Sequence, residues 1–409
     1  MKYVIILGDG MADYPIPELG GRTPLEVANT PSMDRMAAEG TLGLIDTIPQ
    51  DLSPGSDVAN LSVLGYDPRE TYSGRGPLEA ASMGLKLAPD DVAFRCNLVT
   101  LGPEDNPVME DFTSGHISSK ESKEILGDLN GEVGSESIRF FPGVGYRNLM
   151  IWRQGKYALK MTPPHDIIGR PVRDYLPDGE GAGQILELMQ RSQKFLKEHP
   201  LNKKRIAAGL KPANSIWLWG QGRAPKIVPL TERYSIKGGM ISAVDLLNGI
   251  GIYAGLEVIS VDGATGYTDT NYRGKAEQAL AALKNMDFVF IHVEAPDEMG
   301  HEGSIQGKIR AIEDIDEKVV GTILQRIPEF QDFRVMVLSD HPTPICLRTH
   351  AADPSPFAVL SSRENENLSA GLSFGESSAR TSGLVVSPGH HLMELFIRSW
   401  RSFVEKKHS

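Results

Sequence analysis

The 409-residue sequence contains only two cysteines and has no long apolar run. Two cysteines cannot build a disulfide framework, which suits a reducing cytosol, and we interpret Cys96 and Cys346 as buried small apolar side chains. The first apolar run, residues 3–7, is too short for a signal-peptide core or a membrane span. No later run approaches about 18 residues. We therefore expect a soluble, cytoplasmic protein that does not bind a membrane.

Positive charge is also scarce. Lys and Arg total 42 against 53 Asp and Glu, which leaves a formal charge of −11. Residues 203–205 form the nearest approach to a basic patch, and this run is too short to hold a phosphate backbone or an anionic lipid surface. The composition thus argues against a nucleic-acid partner. It leaves the oligomeric state open, including a homo-oligomer.

Short apolar runs without polar alternation are typical of buried parallel strands. Between them lie helical patterns at residues 28–39, 274–283 and 305–327. Alternation of this kind predicts an α/β fold with a doubly wound, mostly parallel sheet. The clearest strand candidates are residues 3–7, 216–219, 256–261, 288–293, 334–338 and 357–360.

A segment rich in Gly, Pro and Ser interrupts this pattern. We assign residues 101–177 to a smaller inserted α+β domain, with strands at 139–141 and 157–161. The core domain then comprises residues 1–100 and 178–409. Both boundaries of the insertion are placed only by composition.

Ligand-capable side chains collect where the predicted strands end. Asp9 follows the first strand, Asp297 and His301 follow the strand 288–293, and Asp340 and His341 follow the strand 334–338. In an open α/β sheet the carboxyl ends of such strands converge at one edge. If Pro296 opens a helical turn, the side chains four residues apart share one face. His350 follows shortly afterwards, whereas we interpret His292, inside its strand, as a packed core histidine.

The residue types at these strand ends indicate a metal centre. Mixed carboxylate and imidazole ligands suit Mn²⁺ or Zn²⁺, and no thiolate cluster is present. We therefore predict two divalent ions. A pair about 3.5–4 Å apart can hold the attacking and leaving oxygens of a phosphoryl displacement.

Ser56 is the candidate nucleophile. It follows Gly55 and precedes a predicted helix, so its hydroxyl would lie in the positive field of a helix N-terminus. A metal at its oxygen would lower the hydroxyl pKa further. The structural alternative is that Ser56 only caps the helix. Ser53 and Ser62 are rival serines, but glycine precedes neither.

Taken together, these residues resemble the alkaline phosphatase superfamily and, within it, the archaeal-type cofactor-independent phosphoglycerate mutases. The resemblance covers nearly the whole chain. One departure is Pro342, at a position where a small hydroxyl residue is expected. The motifs that carry the resemblance are Gly8-Asp9-Gly10-Met11, Pro54-Gly55-Ser56-Asp57, Ser73-Gly74-Arg75-Gly76-Pro77, Gly115-His116-Ile117, Ala295-Pro296-Asp297-Glu298-Met299-Gly300-His301 and Ser339-Asp340-His341.

The resemblance implies the distribution of ligands between the two ions. One ion would be surrounded by Asp9, Ser56, Asp340 and His341, and the other by Asp297, His301 and His350. It also implies that Ser56 becomes phosphorylated. Mn²⁺ is the favoured ion, with Zn²⁺ and Co²⁺ as alternatives, and 2,3-bisphosphoglycerate is not required.

A phosphoglycerate carries about three negative charges near neutral pH, so the site needs cationic side chains. Arg75 and Arg147 lie in glycine-rich segments, and arginine binds carboxylate and phosphate in a planar fork. His116 is a further substrate-binding candidate. His165 and Asp166 are candidates for acid/base catalysis, whereas His390 and His391 remain unassigned.

These inferences predict a glycolytic isomerase that interconverts 3-phosphoglycerate and 2-phosphoglycerate through a phosphoserine. The inserted domain would close over the site and exclude water. A phosphomonoesterase, or a phosphotransferase to another alcohol such as homoserine, would use the same metals and serine. A non-catalytic metal-binding protein is a third alternative. A dinucleotide-dependent oxidoreductase is disfavoured, because the glycines at 8 and 10 lack the spacing of a dinucleotide-binding loop.

Overall fold

The structure is a computed structural model that describes residues 1–103, 105–363 and 371–403. The chain forms two compact units, one of residues Met1–Tyr72 and Lys226–Ser409, the other of residues Ser73–Pro225. The strands are β1 (Lys2–Gly8), β2 (Thr41–Ile45), β3 (Val92–Leu101), β4 (Met109–Asp111), β5 (Ile138–Val144), β6 (Arg147–Trp152), β7 (Leu159–Lys160), β8 (Asp178–Gly179), β9 (Ser215–Gly222), β10 (Gly238–Ile241), β11 (Glu257–Val258), β12 (Phe288–Val293), β13 (Phe333–Ser339), β14 (Ser355–Ser361) and β15 (Val385–Val386).

The helices alternate with these strands through much of the chain, and a π turn, Asp316–Val320, separates two of them. They are α1 (Pro24–Val27), α2 (Pro31–Glu39), α3 (Ser56–Val63), α4 (Pro68–Thr71), α5 (Arg75–Ser82), α6 (Ser119–Glu132), α7 (Ala182–Glu198), α8 (Pro200–Ala207), α9 (Leu230–Tyr234), α10 (Asp245–Tyr253), α11 (Tyr272–Ala282), α12 (Ala295–Glu302), α13 (Ile305–Ile315), α14 (Gly321–Arg326), α15 (Glu376–Thr381) and α16 (Leu392–Glu394). Within the three described ranges, no helix has the length and hydropathy needed to cross a bilayer.

The first unit is built on an eight-stranded sheet in the order β11-β10-β12-β1-β13-β14-β2-β15. Strands β10, β12, β1 and β13 are parallel neighbours, which confirms the predicted α/β class with a mostly parallel sheet. Both faces are covered. Val4 and Ile6 belong to the main core cluster, while Tyr3 packs edge-on against Phe396 of the C-terminal segment.

Two predicted strands of this sheet differ from expectation. The candidate at 357–360 is β14, which pairs antiparallel with β13, although its buried, unalternating composition indicated a parallel strand. The candidate at 256–261 is reduced to β11 at the sheet edge. Composition reports that a strand is buried, but not its direction.

The second unit contains an antiparallel sheet in the order β4-β3-β6-β5, with β9 paired to the other side of β3. The predicted strand 216–219 is therefore part of β9 here and not of the parallel sheet. This unit, residues 73–225, extends beyond the predicted insertion 101–177 at both ends. The reason is that the two strands at the centre of its sheet lie largely outside that segment: β3 begins before residue 101, and β9 begins after residue 177.

The structure also bears on the predicted short strands and on the two cysteines. The predicted strand 139–141 lies within β5, and the strand 157–161 is reduced to β7. Cys96 is buried, as expected, whereas Cys346 is exposed, so its assignment as a buried residue was wrong. The cysteine follows Pro344 in an irregular segment after β13, outside the apolar runs that form the core.

Candidate active site

Three neighbouring parallel strands deliver the candidate ligands to one edge of the first unit. Strand β1 lies between β12 and β13, with Gly8 in register with Val293 and Ser339. Asp9, helix α12 and Asp340 each follow one of these strands directly. The predicted convergence at the carboxyl ends of strands is therefore observed.

The first set of side chains, here called the serine group, consists of Asp9, Ser56, Asp340 and His341. Ser56 Oγ lies 3.2 Å from His341 Nε2 and 3.4 Å from Asp9 Oδ1. His341 Nε2 lies 3.5 Å from Asp9 Oδ1 and 3.6 Å from Asp340 Oδ2. All four residues are buried. Their ligand atoms thus enclose one small volume.

The second set, here called the histidine group, consists of Asp297, His301 and His350. Pro296 lies in the first turn of α12, and the helix places Asp297 and His301 on one face as predicted. His301 Nε2 lies 3.1 Å from Asp297 Oδ2 and 3.1 Å from His350 Nε2. The rings of His341 and His350 have centroids 4.4 Å apart. The two groups are therefore adjacent.

The chemistry of both groups fits divalent cations. Burial, and then the negative charge of Asp340, raises the pKa of Asp9 well above its usual range. Burial likewise raises the pKa of Asp340. Buried carboxylates of this kind need a compensating positive charge. Ligand atoms bound about 2.0–2.2 Å from one ion lie about 3.0–3.6 Å apart, and the separations within both groups match that spacing.

Ser56 is not a helix cap. Gly55 occupies the N-cap position of α3, and Ser56 is the first residue of the helix. The hydroxyl of Ser56 faces the serine group, so the capping alternative was wrong. Of the rivals, Ser62 donates to the carbonyl of Thr47, and Ser53 is exposed.

A buried amide supports this arrangement. Asn60, one helical turn after Ser56, donates to the Ser56 carbonyl at 2.8 Å and to Asp340 Oδ2 at 3.0 Å. The Asn60 side chain therefore links the backbone of Ser56 to the carboxylate of Asp340. The sequence did not reveal this role, because asparagine within a helix is unremarkable.

His292 is a further residue that the sequence analysis did not assign to the site. Its Nε2 lies 2.8 Å from Asp9 Oδ2, and its Nδ1 lies 3.1 Å from Ser242 Oγ. Burial lowers the pKa of His292 to about 3, so the ring is neutral. Because a carboxylate only accepts, Nε2 carries the proton and donates to Asp9. His292 is thus more than a packed core residue.

Asp9, His292 and Glu294 also lie close enough together to be considered as a third metal-binding group. Three observations argue against it. Nε2 of His292 carries the ring proton, so it offers no lone pair to a metal ion. The buried ammonium of Lys275 donates to the His292 carbonyl at 2.8 Å, which places a positive charge beside the cluster. Burial raises the pKa of Glu294 to about 8. We interpret this cluster as support for Asp9.

The second unit presents its own candidate residues. Arg75 is the first residue of α5, and Gly74 precedes it with φ +139°. A Cβ at Gly74 would lie 2.0 Å from the carbonyl oxygen of Gln221, so only glycine allows the helix start to approach β9 this closely. The glycine-rich surroundings of Arg75 are therefore explained by packing.

A basic cluster surrounds Trp219. The guanidinium of Arg95 lies 4.0 Å above the ring centroid of Trp219, and its Nε donates to Glu79. The ring of His165 packs edge-on against Trp219 at 5.3 Å. Burial lowers the pKa of His165, and the positive charges of three arginines act in the same direction. These arginines are Arg75, Arg95 and Arg147.

His165, Arg75 and Arg147 were predicted from the sequence as site residues, whereas Arg95 was not. The available signal was a cation within the mostly apolar strand β3, since such a residue requires a partner when it is buried. Asp166 is exposed and lies 3.7 Å from His165 Nε2. His116 is exposed and has a backbone φ of +51°. It lies in a turn where its backbone N–H donates to Thr113 Oγ1.

The chain is similar to known proteins in both sequence and structure. Residues 37–202 match a family model described as 2,3-bisphosphoglycerate-independent phosphoglycerate mutase. A Geobacter sulfurreducens protein named a probable enzyme of that type is 52% identical over 97% of this chain and 100% of its own length. A Methanosarcina barkeri enzyme of the same name is 51% identical over 98% of this chain and 100% of its own.

Solved structures agree with these matches. A protein from Pyrococcus horikoshii has a TM-score of 0.80 at 32% identity, covering 98% of this chain and 97% of that one. The cofactor-independent phosphoglycerate mutase of Thermoplasma acidophilum has a TM-score of 0.67 at 26% identity, covering 97% and 99%. The chain belongs to the family of 2,3-bisphosphoglycerate-independent phosphoglycerate mutases.

Proposed function

We propose that this protein interconverts 3-phosphoglycerate and 2-phosphoglycerate, with Ser56 as the nucleophile and two divalent cations bound by the serine and histidine groups. The observation that carries the proposal is the convergence of Ser56 Oγ with His341 Nε2 and Asp9 Oδ1, at 3.2 and 3.4 Å. The family to which the chain belongs supports the choice of substrate.

The reaction takes place in two transfers. The Ser56 hydroxyl gives up its proton as Oγ attacks phosphorus, the bond between phosphorus and the 3-oxygen breaks, and the 3-oxygen takes up one proton. The glycerate remains bound and reorients. Its 2-hydroxyl then loses a proton and attacks the phosphoserine, the bond between phosphorus and Ser56 Oγ breaks, and Oγ takes up one proton to restore the free hydroxyl. Bound cations would neutralise charge on the phosphoryl oxygens and lower the pKa of the Ser56 hydroxyl.

The protein's own groups prepare these steps. Asp9 is oriented by His292, and Asp340 by Asn60, so the carboxylates need no rearrangement during the reaction. In the second unit, Arg75, Arg95 and Arg147 supply positive charge for the substrate's carboxylate and phosphate. His165, whose partial burial and neighbouring arginines favour the neutral ring, would accept the proton of the 2-hydroxyl in the second transfer, with Asp166 beside it.

The test is a product assay with metal-stripped protein. The protein is treated with a chelator, supplied with Mn²⁺, Zn²⁺ or Co²⁺, and incubated with 3-phosphoglycerate in the absence of 2,3-bisphosphoglycerate. We expect 2-phosphoglycerate to form only after a metal is restored. Net release of inorganic phosphate without the 2-isomer would indicate a phosphomonoesterase. Transfer to added homoserine without the 2-isomer would indicate a phosphotransferase.

A further inference from the structure

Thr343 lies between the two ligand groups and belongs to neither of them. The residue is fully buried, and its Oγ1 lies 2.5 Å from Asp297 Oδ1 and 3.3 Å from His341 Nδ1. One hydroxyl thus contacts a carboxylate of the histidine group and an imidazole of the serine group. A small hydroxyl residue is expected at position 342, where the chain has Pro342, and Thr343 supplies a hydroxyl one residue later.

The surrounding backbone holds this side chain in place. The N–H of Thr343 donates to the carbonyl of Ala12 at 3.2 Å, and its own carbonyl accepts from the buried Lys308 Nζ at 2.9 Å. A Cβ added to Gly10 would lie 2.5 Å from Thr343 Oγ1, and one added to Gly300 would lie 2.8 Å from Thr343 Cγ2. Both sides of the Thr343 side chain are therefore closely packed.

Counting protons determines the direction of the hydrogen bonds. A threonine hydroxyl has one proton, and a carboxylate only accepts. At 2.5 Å, Asp297 Oδ1 is the nearer and charged acceptor, so the hydroxyl proton points to it. The oxygen of Thr343 can then only accept from His341, which requires the proton of that ring to be on Nδ1.

We propose that Thr343 is a positioning residue that holds His341 as the Nδ1–H tautomer. The Nε2 lone pair of His341 is then directed at the volume shared with Ser56 Oγ and Asp9 Oδ1, at 3.2 and 3.5 Å. The same hydroxyl orients Asp297, so one residue aligns a ligand in each group. The part of this inference that concerns metal affinity rests on the proposed function, whereas the tautomer does not.

The tautomer is measured in metal-free protein by ¹⁵N NMR of the imidazole rings, with His341→Asn used to assign the signals. We expect Nδ1–H in wild type and in Thr343→Ser, which keeps the hydroxyl. In Thr343→Val, which has the same shape without it, we expect a substantial Nε2–H population. Wild-type protein that carries the proton on Nε2 would overturn the proposal even if the valine variant fails to fold.

Metal affinity provides the second readout, by equilibrium titration with Mn²⁺. Loss of a partner that orients a ligand lowers affinity about 10- to 100-fold. We expect that loss in Thr343→Val, with Thr343→Ser within about threefold of wild type. Thr322→Val is the matched control, because Thr322 is buried but donates to the Lys318 carbonyl within its own helical segment. Equal Mn²⁺ affinity in wild type and Thr343→Val would contradict the proposal.

These outcomes separate this inference from the proposed function. If the protein shows the expected tautomer and metal affinities but makes no 2-phosphoglycerate, only the proposed function is contradicted. A mutase whose Thr343→Val variant keeps the Nδ1–H tautomer and full Mn²⁺ affinity would sink the role of Thr343 alone.

Discussion

His341 Nε2 lies 3.2 Å from Ser56 Oγ, although 285 positions separate the two residues in the sequence. The contact exists because His341 follows β13 and Ser56 begins α3, and both lie at the edge of the parallel sheet where Asp9 leaves β1. The geometry of this candidate site therefore depends on the sheet that carries its residues. Substitutions can test the role of each residue separately.

Removal of the Ser56 hydroxyl tests the nucleophile. Ser56→Ala should lower kcat for mutase activity by at least about a thousandfold, because it removes the hydroxyl of the serine group that would receive the phosphoryl group. Ser53→Ala is the control, since Ser53 is exposed and should leave kcat unchanged. Wild-type activity in Ser56→Ala, measured by formation of 2-phosphoglycerate, would eliminate the assignment.

Arg95 should act on substrate binding. Its Nε contacts Glu79 and its plane covers Trp219, which orients the guanidinium. Lysine preserves the charge but not the fork, so Arg95→Lys should raise KM for 3-phosphoglycerate about 10- to 100-fold, equivalent to one lost charge-assisted hydrogen bond. Arg173→Lys, at an exposed arginine of the same unit, should leave KM unchanged. Equal KM values in both variants would remove Arg95 from the site.

His292 should influence metal retention through Asp9. His292→Phe removes the donor at 2.8 Å and should weaken Mn²⁺ binding about 10- to 100-fold, measured by titration of the metal-free protein. His292→Gln retains an N–H donor and should lose less. If the phenylalanine variant binds Mn²⁺ as tightly as wild type, Asp9 does not need this support.

Glu376 should make stability depend on pH. Its carboxyl accepts from the Asp13 N–H and the Thr23 hydroxyl, and burial raises its pKa to about 7, against about 4.3 in an unfolded chain. The folded state therefore holds the proton more tightly. The stability due to the protonated form is complete below the unfolded pKa and is lost as pH rises through about 7.

Glu376→Gln mimics the protonated form at every pH, so it isolates this effect. The free energy of unfolding of wild type relative to Glu376→Gln should fall by about 2 kcal/mol between about pH 5 and pH 8. Denaturant unfolding of both proteins at several pH values measures the difference. A difference that stays constant with pH would show that Glu376 titrates normally.

Much of the candidate metal site was predictable because its geometry follows from topology. Asp9 and Asp340 come directly after strands, and Asp297 lies in the first helical turn after a third strand; parallel strands bring such positions together whatever their separation in sequence. The fold class was predictable for the same reason, since unalternating strands and intervening helices indicate a parallel sheet.

The features that could not be predicted from the sequence depend on which strands pair and on which side chains contact each other. The limits of the second unit follow from antiparallel pairing of β3 with β9, such as Leu98 with Ile216, and no local pattern reports so distant a partner. His292 appeared to be a core residue because its strand is apolar throughout. Its contact with Asp9 follows from the register of β1 with β12, which composition does not encode.

The central claim is tested most directly by anomalous diffraction from crystals of the Mn²⁺-loaded protein. The account predicts two manganese peaks, one in contact with Asp9, Ser56, Asp340 and His341, and the other with Asp297, His301 and His350. Peaks located elsewhere, or a single peak held by His292 and Glu294, would contradict it.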